Sequence, residues 1–395
     1  MNLDIVTFGC AMVIAYTWLG YAMILWIVRM GGAREVHRAE ALPSATILIA
    51  AHDEESQIES KLENCLALDY PEEKIEVMVV SDGSTDDTER IVERFARDDS
   101  RVRLLRTNGR VGKSNAQNLG VKEAQGEILF MTDAGSLLER NTLRLLAADL
   151  TDPKVGLVTA TLELKDSGNA ISKGQGIYWR YELFIRQVES DLGLLATGSG
   201  VAMAMKKSLI RPLDSMYGED CIVPLDVRLA GYRVLHNSHA RVYDSMPHSA
   251  GGELRARIRM TARNWTGTLS RIPILNPFRY PGTAFALISH KLLRWLTPVF
   301  LVILFVAAIY GASNGSREYQ LLFGAQLLFY VSACVGWVLF RTRRSPGLFG
   351  FPFSFCLANI GFLGGLWTVV RKRKIIAYNN LKSPAPVTPV DDVGR

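Results

Sequence analysis

Four short polar clusters carry most of the side chains able to do chemistry. They are His52-Asp53-Glu54-Glu55, Ser81-Asp82-Gly83-Ser84-Thr85-Asp86-Asp87, Thr132-Asp133-Ala134-Gly135-Ser136 and Gly218-Glu219-Asp220. Carboxylates in such clusters bind a hard cation through oxygen, or accept from ribose hydroxyls or a base N–H. One of the paired acids at 219–220 can instead be a general base that takes a hydroxyl proton. A plainer use competes. Ser84 with Asp87 has the spacing of a capping box, and Asp86 suits the first turn of a helix, where the peptide dipole favours negative charge. Asp82 and Asp133, at the strand tips, fit ligand binding better. Among basic groups, Lys113 opens a helical stretch, where it can reach a diphosphate or simply be a solvated lysine at a helix start. Arg255, Arg259 and Arg263 share a helical face. With Trp265 just beyond, that stripe can clamp a diphosphate and stack a sugar, or lie on a membrane surface. Two nucleotide motifs fail. Thr107 stands where the first glycine of a P-loop ending in Gly112-Lys113-Ser114 belongs, and Gly198-Ser199-Gly200 lacks the third glycine of a dinucleotide fingerprint.

Apolar β-rich runs alternate with helical patterns. Strands are expected at Ala45–Ala51, Ile75–Ser81, Val102–Arg106, Glu127–Thr132 and Val155–Leu162. Helices are expected near Glu54–Leu66, Asp86–Arg97, Lys113–Ala124, Arg140–Leu150 and Cys221–Ala230. This alternation predicts an α/β fold with a mainly parallel sheet covered on both faces. Ligands bind such sheets beyond the carboxyl ends of the strands, where the first three clusters fall.

The order IAAHDEE, VVSDGSTDDT, GKSNAQNLG, TDAGS, GED and a basic stretch with Trp resembles the family 2 glycosyltransferases over about residues 44–300. The flanking apolar runs resemble the membrane-integrated members that make chitin oligomers, cellulose, hyaluronan or poly-N-acetylglucosamine. The resemblance implies a GT-A fold, a nucleotide-sugar donor (usually a UDP-sugar) and inversion at the anomeric carbon. It implies that His52, Glu54, Asp82 and Ser84 bind the donor and that Lys113 lies near the nucleotide. Asp133 would be the first acid of the DxD metal motif, for Mg2+ or Mn2+. Asp220 would be the catalytic base with Glu219 beside it. Arg263 and Trp265 fall in the region of the QxxRW signature, and Tyr178, Trp179 and Gly198–Gly200 would form acceptor walls. Two departures stand out. Gly135 replaces the second acid of DxD, which weakens the expectation of a metal. Thr261-Ala262-Arg263-Asn264-Trp265 lacks the glutamine and displaces the arginine by one place, which weakens the expectation of processive polymerisation. Transfer of a single sugar to a lipid or lipid-linked acceptor is therefore the rival reading, and a nucleotide-sugar-binding protein without catalysis is the rival of another class.

Elements outside this domain must hold it at a membrane. The chain has 395 residues, a net charge of +6, 48% hydrophobic and 21% charged residues. The runs 5–28, 295–316, 319–340 and 345–370 contain no charged side chain, and about 20 apolar residues suffice for a spanning helix. The first run exceeds the apolar core of a signal peptide and reads as an anchor. Arg29, Arg34 and Arg38 follow it, so the positive-inside rule places the next domain in the cytosol. The expected organisation is an N-terminal anchor at 1–38, a cytosolic GT-A domain at 39–271, an interfacial helix and membrane segments at 272–375, and a disordered tail at 376–395. Residues 272–296 read as an amphipathic helix lying in the interface, with His290, Lys291 and Arg294 on its polar face. The glycine- and proline-rich run at 345–370 is compatible with a span or a re-entrant segment. The basic surplus is mostly juxtamembrane and points to anionic lipid rather than nucleic acid. Expected partners are the nucleotide-sugar donor, a saccharide or lipid-linked acceptor and membrane lipids, at a plasma (inner) membrane. Five scattered cysteines show no zinc or disulfide spacing.

Overall fold

The computed structural model describes residues 3–165, 170–245, 250–342 and 344–371. The expected tail at 376–395 lies outside them. In chain order the elements are helix α1 (Leu3–Arg29), β1 (Ala45–Ala51), α2 (Ile58–Leu66), β2 (Ile75–Ser81), α3 (Thr88–Asp98), β3 (Val102–Arg106), α4 (Lys113–Glu123), β4 (Ile128–Thr132), β5 (Leu137–Leu138), α5 (Thr142–Leu150), β6 (Val155–Lys165) and α6 (Ala170–Asp191). There follow β7 (Ala202–Lys206), α7 (Glu219–Leu229), β8 (Arg233–Ser245), α8 (Ala250–Ser270), α9 (Pro281–Ser313), α10 (Arg317–Arg341) and α11 (Gly350–Val370).

All eight strands form one sheet in the order β3-β2-β1-β4-β7-β6-β8-β5. The β3-β2-β1-β4 half is parallel, whereas β7 runs antiparallel to both β4 and β6. The sheet is therefore mixed, and β7 and β8 add strands that the apolar pattern did not reveal. Side chains alternate across the sheet with period two. Ile47, Ile49, Val77, Val79 and Phe130 pack with Ile58, Leu62, Val92 and Leu146 on one face. Leu48, Met78, Val80, Leu129 and Met131 pack with Ala116, Ile222 and Val227 on the other. Each such side chain contributes about 1.5–3 kcal/mol by leaving water, so both layers of helices are fixed relative to the strand ends.

Helices α1, α9, α10 and a stretch containing α11 are long and apolar enough to cross a membrane. The run at 345–370 holds one continuous helix, α11, rather than a broken loop. Its glycines serve packing: a Cβ at Gly361, Gly364 or Gly365 would lie 2.8, 2.8 or 2.6 Å from Arg257, Ile258 or Thr261 of α8. Small residues let two helix backbones approach closely.

The expected interfacial helix at 272–296 is corrected. Only a short 3-10 turn spans Ile272–Leu275, and Pro281 starts α9, which runs without interruption into the membrane-length segment. Its basic side chains turn inward, because α6 supplies two buried carboxylates. The Nε2 of His290 lies 3.0 Å from Glu182 Oε2 and its Nδ1 2.7 Å from Glu189 Oε1. Lys291 Nζ is 2.7 Å from Glu182 Oε1, and Arg294 Nη1 is 2.6 Å from Glu182 Oε2. Both ring nitrogens of His290 face carboxylate oxygens. Helix α1 joins the cluster: Tyr21 donates to Glu189 at 2.7 Å, and the Arg294 guanidinium lies 5.0 Å from the Trp18 ring. Tyr16, in a π-helical stretch of α1, bonds to Ser289 at 2.7 Å in the matching π-helical stretch of α9. Sequence alone does not reveal whether a basic helix face meets lipid headgroups or buried acids.

Removing one partner from a buried ion pair leaves the others uncompensated, at a cost of about 3–5 kcal/mol. Glu182→Ala is expected to lower the thermal midpoint of detergent-solubilised protein sharply, whereas exposed Glu59→Ala leaves it near the wild-type value. Equal midpoints for the two variants would show that the cluster contributes nothing net.

Candidate functional site

The rim of the site is built by loops at the carboxyl ends of β1, β2 and β4. The first two loops are stitched together. Thr85 N–H donates to Asp53 Oδ1 at 2.8 Å, Glu54 N–H to Thr88 Oγ1 at 2.8 Å, and Asp87 N–H to Glu55 Oε2 at 3.0 Å. Asp53 takes a positive φ of 52° to make the turn. The expected Ser84–Asp87 capping box does not form, because α3 begins at Thr88. Asp86 serves instead, accepting the Thr88 N–H at 3.0 Å. Ser84 accepts from Asp53 N–H at 3.2 Å and from the Ser81 hydroxyl at 3.1 Å. Among the candidate nucleoside contacts, His52 Nδ1 donates to the Asp82 carbonyl at 2.8 Å, and Glu54 accepts from Gln57 at 3.1 Å.

Asp82 is buried and committed to the backbone. Its Oδ1 accepts from Val111 N–H at 2.7 Å and its Oδ2 from Gly112 N–H at 2.9 Å. The loops touch at Gly83, where a Cβ would sit 2.7 Å from Arg110 N. Asp82 thus shapes the 107–112 loop, which reaches Gly112 at a φ of 94° and launches α4. The first residue of that helix is Lys113.

Lys113 is the centre of the constellation. Its Nζ lies 2.8 Å from Asp133 Oδ1, at the end of β4, and 2.8 Å from Glu219 Oε1, at the start of α7. Burial opposes the ammonium charge, but these two carboxylates outweigh it and raise the Lys113 pKa. Glu219 is also 3.6 Å from Arg263, which donates to the Tyr217 carbonyl. Burial would raise the Glu219 carboxyl, yet Lys113 and Arg263 hold it down to about 2. The neighbouring acid behaves oppositely. Burial first, and the negative charge of Glu219 second, push the Asp220 carboxyl above its ordinary range, against the pull of Arg263, Arg186 and Lys113. Adjacent acids with opposed shifts give the site one carboxylate held ionised and one that takes up a proton more readily. Beneath the Asp133 loop, the fully buried Lys61 donates to Thr132 Oγ1 at 2.9 Å and to the Ser136 carbonyl at 2.8 Å.

Asp220 lines a cavity of about 380 Å³. Its walls include Trp179, Gly198–Gly200, Arg257, Asn264 and Lys291, with Trp295 and Phe362 from the membrane-capable helices. Pro224 explains how the glycine loop is held there. A helical residue at 224 would normally donate its N–H to the Asp220 carbonyl, and proline has none. That carbonyl instead accepts the Gly198 N–H at 2.8 Å. Trp179 donates to the Leu162 carbonyl at 2.9 Å and presents its ring to the cavity.

The structure brings together Lys113, Asp133, Glu219 and Arg263, and sets Asp220 and Trp179 on the adjoining cavity. Trp265 is placed otherwise. It is not among the cavity residues and packs on Trp295, ring centroids 5.3 Å apart, in a cluster with Phe362. The arginine stripe divides: Arg263 pairs with Glu219, Arg255 is exposed, and Arg257, off that face, lines the cavity. Sequence reasoning missed Arg186, Arg257, Asn264 and Lys291 as cavity residues, together with the role of Pro224. The proline inside an otherwise helical run was the readable signal. A larger open groove of about 950 Å³ lies by the amino ends of β1 and β4, remote from these acids.

Residues 46–213 match the family described as Glycosyl transferase family 2. The poly-beta-1,6-N-acetyl-D-glucosamine synthase of Staphylococcus aureus (strain COL) is 28% identical over 226 residues, 56% of this chain and 54% of that protein. That of Staphylococcus epidermidis is 28% identical over 221 residues, 54% of this chain and 53% of that protein. The match spans about half the length of these curated relatives. In structure, the chain is similar to the mannosyltransferase PcManGT from Pyrobaculum calidifontis, solved in complex with GDP-Man and Mn2+. The TM-score is 0.74 at 22% sequence identity, over 94% of this chain and all of that one. This likeness shows the fold, a GT-A-type mixed sheet with flanking and membrane-capable helices.

A Cβ at Gly218 would lie 2.5 Å from Asp220 Oδ1 and 3.1 Å from Asn264 Oδ1. Gly218→Ala must therefore displace the Asp220 carboxylate, and a shift of that order costs about 10²-fold in rate. The expected outcome is that loss of turnover with a nearly unchanged thermal midpoint. Wild-type turnover would remove Asp220 from the chemistry.

Proposed function

We propose that this chain, which carries a glycosyl transferase family 2 domain at residues 46–213, is a membrane-bound inverting glycosyltransferase. It moves a sugar from a nucleotide-sugar donor, on the rim formed by the loops after β1, β2 and β4, to a hydroxyl of an acceptor seated in the cavity. The observation that carries this reading is Asp220: a carboxylate with a raised pKa on the cavity wall, adjacent to the Lys113–Asp133–Glu219 group.

In the reaction, Asp220 takes the proton of the acceptor hydroxyl as its oxygen attacks the anomeric carbon. The bond from that carbon to the diphosphate breaks, and the nucleoside diphosphate leaves with the electron pair. Attack opposite the leaving group inverts the configuration. Lys113 and Arg263 supply positive charge near the departing diphosphate, and positioning with charge stabilisation carries most of the acceleration. A divalent cation fits the donor chemistry of the site: Asp133 and Glu219 oxygens converge on one point, which Lys113 Nζ occupies at 2.8 Å from each. Those two residues would hold it, with the diphosphate oxygens, and when bound it neutralises the leaving group. His52, Glu54 and Ser84 are the proposed contacts toward the nucleoside, with Asp82 shaping the adjacent loop.

The acceptor is a growing saccharide, which Trp179 and Trp295 can stack. A second reading, transfer of one sugar to a lipid-linked acceptor, is favoured by the cavity wall that α9 and α11 contribute through Trp295 and Phe362. The basic residues Arg29 at the end of α1, Arg38 beyond it and Arg341 at the end of α10 support a catalytic domain on the cytosolic side. Purified protein given UDP- and GDP-sugars is expected to release nucleotide diphosphate and form product. A ladder of products supports the saccharide reading, a single lipid-soluble product supports the second, and no turnover with any donor overturns both.

Asp220→Asn is expected to reduce transfer by about 10³-fold or more while nucleotide binding persists. Near-normal turnover in that variant would defeat the assignment. The pH profile gives an independent check. The base works only when deprotonated, so activity falls as pH drops through its raised pKa. Glu219→Gln removes a negative neighbour that raises that pKa, and the acid limb of kcat/KM should move to lower pH. An unmoved limb would show that Asp220 does not set it.

A further inference from the structure

The Lys113 ammonium sits where a divalent cation would have to bind. Its Nζ is 2.8 Å from Asp133 Oδ1 and 2.8 Å from Glu219 Oε1, and Glu219 faces Arg263 at 3.6 Å on its other side. These four groups carry two negative and two positive charges, and the adjacent Asp220 with Arg186 adds one of each, so the cluster is already balanced. Glu219 is buried, and Asp133 and Lys113 are half-buried. Adding a bare divalent ion to such a group leaves two uncompensated positive charges in a poorly solvated place, which is strongly unfavourable.

The donor set leads to the same conclusion. Gly135 leaves Asp133 as the one acid in its loop. Among the described residues no group of three or more His, Cys, Asp or Glu side chains is arranged to hold a metal. Hard cations require about six to eight oxygen ligands, so most must come from outside the protein. A nucleoside diphosphate supplies both missing items, namely oxygen ligands and at least two negative charges.

We propose that Lys113 is a resident cation that closes the metal site until the nucleotide arrives. Divalent metal then enters together with the diphosphate, and Lys113 moves from the carboxylates to the phosphate oxygens. The idea rests on the glycosyltransferase reading but makes a separate claim, about the order of binding. Its consequence is strong positive coupling. By linkage, the nucleotide tightens the metal and the metal tightens the nucleotide by the same factor.

The test is a titration of detergent-solubilised protein with Mn2+, following the free-ion signal by electron paramagnetic resonance, with and without UDP or GDP. Wild-type protein should take up little Mn2+ alone, and the nucleotide that binds should tighten uptake by about 5- to 150-fold. Lys113→Met should take up Mn2+ without nucleotide, because it exposes an unbalanced carboxylate pair, whereas Lys113→Arg should stay closed. Wild-type protein that binds Mn2+ equally well with and without a nucleotide it demonstrably binds would overturn the proposal. So would a folded Lys113→Met protein with no gain. Should Lys113→Met fail to fold, the wild-type coupling decides alone. Nucleotide binding, read separately by calorimetry, distinguishes the two claims: no binding of UDP or GDP would strike at the glycosyltransferase reading itself, not only at the gate.

Discussion

Everything at the candidate site depends on one ammonium group. Asp133 ends a central strand and Glu219 begins a helix on the far side of the site, and their carboxylates point at the same place. Without a cation between them they would repel. Lys113 lies between them at 2.8 Å from each and ties the loop after β4 to the helix that carries Asp220. Its own position is set one step further back, by Asp82 holding the Val111 and Gly112 amides. A chain of hydrogen bonds and covalent links thus runs from the ends of β1 and β2 to Asp220, the proposed base. It passes through residues that do not line the cavity.

The membrane side is organised by a second set of charges, with a different job. Glu182 and Glu189 of α6 collect His290, Lys291 and Arg294 of α9 and the Tyr21 hydroxyl of α1. This joins both ends of the chain to the sheet domain. Glu182, Arg186 and Lys291 also reach the cavity wall, so the clamp and the proposed acceptor site share residues. Glycine-mediated packing of α11 on α8 closes the remaining side.

Much of this was legible in the residues. All five expected strands appear within a few positions, because their apolar runs are short, β-rich and bounded by turn residues. Asp133, Glu219, Asp220 and Lys113 were singled out from their places at strand and helix ends; the structure joins Lys113, Asp133 and Glu219 and sets Asp220 on the adjoining cavity wall. β7 and β8 escaped notice because Ala202–Lys206 is a short methionine-alanine run and β8 is largely polar. Trp265 was assigned to sugar stacking from its neighbours in sequence, but a helix turns successive residues about 100° apart, and Asn264 takes the cavity position. Lys291 looked like an interface-facing charge, since nothing local announced Glu182, which it meets through tertiary packing.

The central claim is a single displacement driven by Asp220 as base. The configuration of the newly formed glycosidic bond tests it most directly. With an α-linked nucleotide-sugar donor, nuclear magnetic resonance of the first product should show a β-linkage. An α-linked product would mean retention, and would contradict one-step attack by an acceptor oxygen deprotonated at Asp220.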